Sequence, residues 1–259
     1  MTTPEQFRRL EMMVGEAGLA RLRAAFVCVI GLGAVGSYAT EALARAGIGR
    51  LRLVDFDLLR ASNLNRQLYA LHSTIGRPKC EVAAERVLDI NPDCQVEPLK
   101  AFVHAETMDE VLQGPPDLVI DAIDSYAPKL ELLCALCERG IPLLSSMGAA
   151  LRTEPSRVQI ATIEQTQVCP LARRLRKGLR QRGVTTDLPC VYSDEPVDKS
   201  RIHPPEPRQA DDLDRGRERR SLGSLPTMTG LFGLTVANEA LQMILGNRGE
   251  GARGVEKCR

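Results

Sequence analysis

A glycine-rich turn between an apolar run and an amphipathic segment constrains this chain more than any other feature. Residues 25–30 read AFVCVI, a continuous apolar run of the kind that forms a buried parallel strand. Gly31, Gly33 and Gly36 follow it directly, with the spacing of a phosphate-binding turn. Gly31 permits the tight turn, Gly33 lets a phosphate approach the backbone, and Gly36 lets helix and strand pack closely. The sequence therefore predicts a nucleotide site at the N-terminus of the next helix.

Strand and helix patterns alternate around this turn. The segments that read as strands or helices are, in chain order, 25–30, 34–46, 51–54, 78–90, 94–99, 118–122, 129–139, 142–145 and 158–163. Such alternation is typical of an α/β fold, and it predicts a Rossmann-like, doubly wound and mostly parallel sheet. We expect the last of these segments to join the second half of the sheet.

The two ends of the chain add to this sheet without forming a second domain. Residues 1–23 predict a helical N-terminal arm, and a further helix is predicted near the C-terminus after SLGSLPTMTGLFG. Residues 194–220 carry four prolines and many charges but few apolar side chains, so we expect a mobile loop there. Because little chain remains after this insertion, the sequence indicates a single domain over residues 1–259.

The overall composition names no partner but favours one compartment. The formal net charge is +1, so any nucleic-acid surface has to be a local patch. The eight cysteines follow a polar N-terminus without a signal-peptide pattern, which favours the cytoplasm and reduced thiols. No apolar run approaches the roughly 20 residues of a membrane span. We therefore expect a cytoplasmic protein that does not enter a membrane.

Two acidic residues close the second predicted strand. Asp55 falls 19 residues after Gly36, where an acid typically meets the ribose hydroxyls of a bound nucleotide, and Asp57 comes just after it. With the strand and the helix in their expected places, a ligand-free glycine turn is the weaker alternative. These carboxylates therefore join Gly31, Gly33 and Gly36 as candidate nucleotide-binding residues.

A polar and cationic cluster follows the acids: Asn63, Arg66, Gln67 and Lys79. Any one of these alone would most often be a solvated surface group. Together, near the carboxyl end of the second strand, they suit a triphosphate whose charge changes during reaction better than the pyrophosphate of a dinucleotide. The cluster favours ATP used for adenylation over NAD used for hydride transfer.

Asp124 follows the fourth predicted strand, and its place at a strand end suits a carboxylate that positions a metal ion. The alternative is a helix N-cap, since Ser125 and Pro128 mark a helix start. The sequence leaves both open.

The cysteines give no clear metal site. Cys134 and Cys137 have the spacing of half a zinc site, but a structural site needs four ligands and no second pair is present. They also continue the apolar stripe of Leu130 and Leu133, so core packing is the better interpretation. Cys190 is the cysteine nearest the predicted loop, and its neighbours look like a strand at the edge of a sheet.

Several motifs together resemble the ThiF/MoeB superfamily of ubiquitin-activating-type adenylating enzymes. They are GLGAVGS, VDFD, SNLNRQ, GRPK and DAIDS, within a match that spans about residues 7–165. The segments VIDAIDSYAPK, CPLARRLR and VYSDEP are most similar to the tRNA threonylcarbamoyladenosine dehydratases of this superfamily. The resemblance implies that ATP adenylates the carboxylate of the threonylcarbamoyl group beside the anticodon, and that AMP leaves as a cyclic form closes.

Residue by residue, the resemblance implies a role for each candidate. Asp55 would bind ribose, Asp124 would position magnesium, and the triphosphate would be held by Asn63, Arg66 and Lys79. These three would also stabilise charge at the α-phosphate.

The resemblance also implies a homodimer with shared sites. Arg9 matches an arginine that reaches the phosphates bound by the partner subunit. The sequence departs from the family at Gln6, where many relatives have arginine, and Arg8 complicates the assignment.

A basic helix over residues 171–182 suits a tRNA backbone, with a solvated charged face as the alternative. Its basic residues are Arg173, Arg174, Arg176, Lys177, Arg180 and Arg182. A cysteine desulfurase or another sulfur-acceptor protein is a further partner that this superfamily suggests.

Two other functions stay open. The first is an adenylyltransferase that activates the C-terminus of a ubiquitin-like sulfur-carrier protein. The paired zinc cysteines of the MoeB branch are missing, which favours the dehydratase. The second is a non-catalytic nucleotide-binding adaptor.

Overall fold

Seven short segments form the central sheet within residues 3–184, 187–204 and 221–247, which the computed structural model describes. The strands are β1 Phe26–Ile30, β2 Arg50–Val54, β3 Gln95–Leu99, β4 Leu118–Asp121, β5 Leu143–Ser146, β6 Val158–Thr162 and β7 Pro189–Ser193. Their spatial order is β3-β2-β1-β4-β5-β7-β6. Only the β6–β7 pair is antiparallel among these neighbours. The predicted α/β fold with a mostly parallel sheet is confirmed.

Helices cover both faces of this sheet. They are α1 Arg8–Ala24, α2 Gly36–Arg45, α3 Lys79–Ile90, α4 Met108–Val111, α5 Tyr126–Arg139, α6 Pro170–Gln181 and α7 Pro226–Leu245. Side chains alternate between the faces along β1, as the pleat of a strand requires. Val27 and Val29 join the core with α2 and α7, whereas Cys28 and Ile30 join the core with α5 and α6.

Helix α7 completes the first of these two cores. It packs on α2 so closely that a Cβ on Gly233 would lie 2.5 Å from the carbonyl oxygen of Val35. It also meets α1, where Nη1 of Arg21 donates to the carbonyl of Leu245 at 2.5 Å. The first and last described helices are therefore neighbours.

The N-terminal arm is helical, as predicted, but it is not straight. A short 3-10 helix, Glu5–Phe7, precedes α1, and Gly15 interrupts α1 with φ +73° and ψ +169°. A positive φ costs glycine little, because glycine has no Cβ. Across the described ranges, no helix is both long and apolar enough to cross a membrane.

The region after β7 differs in detail from the prediction. Cys190 lies in a strand, as its neighbours suggested, but β7 is one strand in from the edge because β6 occupies the edge. The first part of the predicted loop 194–220 forms a 3-10 helix, Lys199–Arg201, and strand β8, Ile202–His203, which pairs with β9, Ser221–Leu222. Residues 205–220 lie outside the described residues. The single domain over residues 1–259 stays a prediction.

The parallel strands β1, β2, β4, β5 and β7 all end on one side of the sheet, which we call the carboxyl edge. In doubly wound folds, ligands bind outside this edge, near the point where the strand order reverses. The order reverses between β1 and β4, next to the glycine turn.

Candidate functional site

The glycine turn is shaped by two close backbone contacts. Gly31 has φ +90°, and a Cβ there would lie 2.8 Å from the carbonyl oxygen of Ala122, in the loop after β4. A Cβ on Gly36 would lie 1.8 Å from the carbonyl oxygen of Gly31. At Gly33, a Cβ would meet only the Gln67 amide, at 3.6 Å, which is an ordinary contact. Packing therefore requires glycine at two positions and leaves room over Gly33 for a ligand.

Asp55 joins the end of β2 to this turn. Its Oδ2 accepts a hydrogen bond of 2.7 Å from the Leu32 N–H, and its Oδ1 accepts one of 2.9 Å from the Asp57 N–H. Burial raises the pKa of the Asp55 carboxyl above its usual range, and the nearby Lys79 ammonium opposes that rise. A carboxylate has about four lone-pair positions, so Asp55 can still accept bonds from ribose hydroxyls.

Lys79 lies beside Asp57 at the start of α3. Its Nζ is 2.9 Å from Asp57 Oδ2, and its backbone N–H donates to the Asp57 carbonyl at 3.0 Å. The lysine side chain is only 6% exposed, whereas the Asp57 side chain is 38% exposed. The pair is therefore open to solvent on its carboxylate side and closed on its lysine side.

The segment 63–67 forms the next wall of the site. Asn63 is buried, and its Oδ1 accepts from the Arg60 N–H at 3.1 Å. Gln67 is also buried, and its Oε1 has no hydrogen-bond partner in the described structure, so it is available to a ligand. Nη1 of Arg66 bonds to the Ser62 carbonyl and to Asn65 Oδ1, both at 2.8 Å. These contacts hold the guanidinium to its own turn.

Asp124 lies in the loop between β4 and α5, exposed at the carboxyl edge. The helix begins at Tyr126, with Ser125 at the N-cap and no side-chain capping bond there. Asp124 is thus one residue before the cap position, and the N-cap alternative does not describe it.

A buried ion pair beneath this loop was missed by the sequence analysis. Lys129 Nζ lies 2.7 Å from Asp121 Oδ2, and both side chains are fully buried. The same ammonium donates to the Ile123 carbonyl at 3.1 Å, while Asp121 Oδ1 accepts from the Ile123 N–H, also at 3.1 Å. Ser145 Oγ completes the network with a 2.7 Å bond to Asp121 Oδ2. The network holds the peptide before Asp124 from both sides.

Within a single chain, Arg9 does not lie at this site. It is exposed on α1, and no hydrogen bond or ion pair involves it in the described parts of the structure. Its predicted role in a partner subunit stays a prediction.

Some basic side chains of α6 contact other residues of the chain, and others face solvent. Arg176 donates to the carbonyls of Ile163 and Thr166, at 3.0 and 2.8 Å. Arg174 lies 4.3 Å over the Tyr126 ring, and Arg180 pairs with Glu164. The exposed residues one turn apart, Arg173 and Lys177, are the members left facing solvent without such contacts in the described chain.

The cysteines within the described residues form no disulfide there, and all of them are buried. Cys134 and Cys137 pack in the core of α5, as the apolar stripe predicted. Burial raises the pKa of the Cys190 thiol to about 12, although Lys129 and Arg176 oppose this rise. Such a thiol is protonated at neutral pH and is a poor nucleophile.

A doubly wound sheet that gathers a glycine turn, a buried carboxylate and a lysine at its carboxyl edge defines a nucleotide-binding α/β protein. The chain belongs to the ThiF family, which matches residues 7–256. It is similar to the tRNA threonylcarbamoyladenosine dehydratase of Bacillus subtilis, at 46% identity over 73% of this chain and 75% of that protein. The Escherichia coli enzyme of the same name is 39% identical over 74% of each chain.

Solved structures agree with the sequence relatives. The crystal structure of E. coli tRNA N6-threonylcarbamoyladenosine dehydratase in complex with ATP superposes with a TM-score of 0.82 at 31% identity. The match covers 95% of this chain and 98% of that one. The resemblance inferred from GLGAVGS, SNLNRQ and DAIDS is confirmed.

Proposed function

We propose that this chain is an ATP-dependent tRNA threonylcarbamoyladenosine dehydratase. The observation that carries the proposal is the crevice at the carboxyl edge, where Asp55 and the Lys79–Asp57 pair meet the glycine turn. A relative solved with ATP shares this fold across nearly its whole length. The proposed acceptor is the group named in the relatives, the threonylcarbamoyl carboxylate of a modified tRNA adenosine.

The proposed reaction has two steps. The acceptor carboxylate attacks the α-phosphate of ATP, and pyrophosphate leaves. A nucleophile of the same modified nucleoside then attacks the activated carbonyl, and AMP leaves as the ring closes. Intramolecular attack has an effective concentration of up to ~10⁵ M or more, so the second step needs no enzyme nucleophile. The buried, protonated Cys190 fits this scheme.

In this scheme the chain supplies binding and charge. Asp55 accepts hydrogen bonds from the ribose, and the backbone of the glycine turn and the start of α2 receive phosphate oxygens. Lys79 exchanges Asp57 for phosphate oxygens and offsets the charge that develops at the α-phosphate. Asn63 and Arg66 hold the remaining phosphate oxygens, and Gln67 offers its unpaired Oε1 to a donor on the ligand.

Magnesium fits this site only as an ion held jointly by the protein and the phosphates of the nucleotide. In the described part of the chain, no group of three or more Asp, Glu, His or Cys side chains could hold a metal by itself. A magnesium ion with one carboxylate and several phosphate ligands is the usual arrangement, and it supplies charge neutralisation between phosphates. Asp124 is the residue that would hold it.

Partners are proposed on the same basis. The tRNA backbone would contact the exposed Arg173 and Lys177 of α6, with the remaining basic residues of that helix behind them. A homodimer would bring Arg9 to the phosphates of the neighbouring subunit. A cysteine desulfurase or sulfur-acceptor partner is the proposal with least support, because the described cysteines are buried.

Two measurements test the proposed function. Purified protein with ATP and tRNA carrying threonylcarbamoyladenosine should release AMP, and mass spectrometry of the nucleosides should show the loss of one water. Cells without the gene should accumulate the uncyclised nucleoside. ATP-dependent binding to a small ubiquitin-like protein, with no change in the tRNA, would instead favour the carrier-activating function.

A further inference from the structure

A second charged group is buried beyond the carboxyl edge, away from the glycine turn. Arg152 lies in the segment that follows β5, and it is 2% exposed. Its Nε and Nη1 atoms make no hydrogen bond within the described residues. Glu195 interacts electrostatically with this guanidinium, but no hydrogen bond replaces the hydration that Nε and Nη1 lose on burial. Arg152 therefore has unused capacity to bind an anion.

Glu195, which interacts electrostatically with Arg152, directs its hydrogen bonds to the backbone and to Thr153. Both oxygens of Glu195 accept from the Thr153 N–H, at 2.9 and 3.2 Å, and Oε2 also accepts from the Glu154 N–H at 3.0 Å. The Thr153 hydroxyl adds a 2.8 Å bond to Oε1. Glu195 thus fastens the backbone just after Arg152, while Nε and Nη1 of Arg152 make no hydrogen bond in the described structure.

The backbone before Arg152 is held in an unusual conformation. Leu151 has φ +61°, a left-handed conformation that is unfavourable for a residue with a branched side chain. Its N–H donates to the Gly223 carbonyl at 2.9 Å. Strain of this kind persists only where the surroundings enforce it, and it fixes the direction in which Arg152 leaves the chain.

The same contacts place Arg152 beside the nucleotide crevice. The carbonyl of Ser224, next to Gly223, accepts a 3.3 Å bond from Asn65 Nδ2 in the segment 63–67. Arg152 is therefore linked through Leu151 and residues 223–224 to the wall that holds Arg66. It belongs to the segment between β5 and β6, and β5 lies on the far side of β4 from β1 and β2.

We propose that Arg152 binds the carboxylate of the acceptor while that carboxylate is being adenylated. This inference rests on the proposed function. A carboxylate that approaches a polyphosphate is repelled by it, and a guanidinium beside the carboxylate offsets that repulsion. Guanidinium donors match carboxylate oxygens well and are weakly hydrated, so burial suits them better than it suits an ammonium group. Lys79 and Arg66 already serve the nucleotide, which leaves Arg152 for the second substrate.

The test compares two RNAs on matched variants. Binding is measured for tRNA with and without the threonylcarbamoyl group, in the presence of a non-hydrolysable ATP analogue. Arg152→Gln should weaken binding of the modified tRNA about tenfold to a hundredfold, the range of a hydrogen bond to a charged group, and leave the unmodified tRNA unchanged. Arg157→Gln is the control, because Arg157 is an exposed arginine of the same region that pairs with Asp194.

Other outcomes overturn the inference. Equal weakening of both RNAs would assign Arg152 to the phosphate backbone, and weaker binding of the ATP analogue alone would assign it to the nucleotide. Arg152→Met should melt close to the wild-type temperature, since it removes two buried donors that make no hydrogen bond. A lower melting temperature with unchanged RNA preference would make the residue structural. If wild-type protein shows no preference for modified tRNA, the proposed function fails and takes this inference with it.

Discussion

Two lysine–aspartate pairs flank the glycine turn, and they differ in one physical respect. Lys79 begins α3 and pairs with Asp57 after β2, whereas Lys129 lies in the first turn of α5 and pairs with Asp121 in β4. The separations are similar, at 2.9 and 2.7 Å. Asp57 is partly exposed, but both members of the other pair are sealed from solvent.

This difference in exposure separates a reactive pair from a structural one. In the proposed site a phosphate replaces Asp57 as the partner of Lys79, because the carboxylate side of that pair is open to solvent. Lys129 is already paired with Asp121 and donates to the Ile123 carbonyl, so its charge serves the groups around it. Substitution of the two lysines should therefore affect different properties.

The largest expected effect is on folding, at the sealed pair. Lys129→Met should lower the free energy of unfolding by about 3–5 kcal/mol, because Asp121 is left charged and unpaired in the core. Urea unfolding followed by circular dichroism measures the change. The double variant with Asp121→Asn should recover part of the loss, and a single-variant loss below about 1 kcal/mol would contradict the sealed-pair argument.

The next effect is on catalysis, at the open pair. Lys79→Ala and Asp124→Ala should each reduce AMP release with modified tRNA by on the order of a hundredfold, since each removes a group that stabilises or positions charge. Both variants should unfold at nearly the wild-type urea concentration. Arg77→Ala is the matched control, because Arg77 lies in the same GRPK segment and pairs with Glu85 at the surface. Near-normal turnover in both site variants would refute the assignment.

A smaller effect distinguishes the pairs by pH. Asp55 has a raised pKa, chiefly through burial, and the Lys79 charge limits the rise. In the proposed site Asp55 binds ribose as a carboxylate, so nucleotide affinity should fall as the pH drops through this pKa. Lys79→Met removes that charge, so it raises the pKa of Asp55 further. The loss of ATP affinity at acidic pH should then begin at a higher pH. Lys129→Met should leave the pH dependence of ATP affinity unchanged. Calorimetry of ATP binding across a range of pH measures both effects.

The smallest effect is expected at Cys190, which lies opposite Ser145 in the sheet. Cys190→Ala should keep cyclisation close to the wild-type rate, because its protonated thiol takes no part in either step. A stability cost on the order of 1 kcal/mol is expected for a change in the core. Loss of cyclisation with adenylation intact would instead reveal a covalent cysteine step and favour the sulfur-carrier function.

Local pattern explains what the sequence could predict. The strand, turn and helix over residues 25–46 are specified by neighbouring residues, so their bounds could be predicted to within two residues. Asp55 and Lys79 followed from their distance to the turn and from the superfamily motifs.

Long-range packing explains what the sequence could not predict. Asp121 and Lys129 are charged residues within the apolar stretches LVID and APKLELL, a signal that was present, but they become a pair only when β4 and α5 pack. The placement of β7 inside the sheet depends on β6 turning back to take the edge. The burial of Arg152 likewise depends on segments far away in the chain, among them Gly223.

The contact between α1 and α7 has a consequence for synthesis on the ribosome. Arg21 and the Leu245 carbonyl that it binds are 224 residues apart. At about 5–20 residues per second, α1 leaves the ribosome about 11–45 s before its docking partner exists. Helix α2, which follows the glycine turn, waits nearly as long for Gly233 to cover it. The nascent chain therefore exposes the apolar face of α2 until translation is nearly complete, and this interval is when a chaperone would find it.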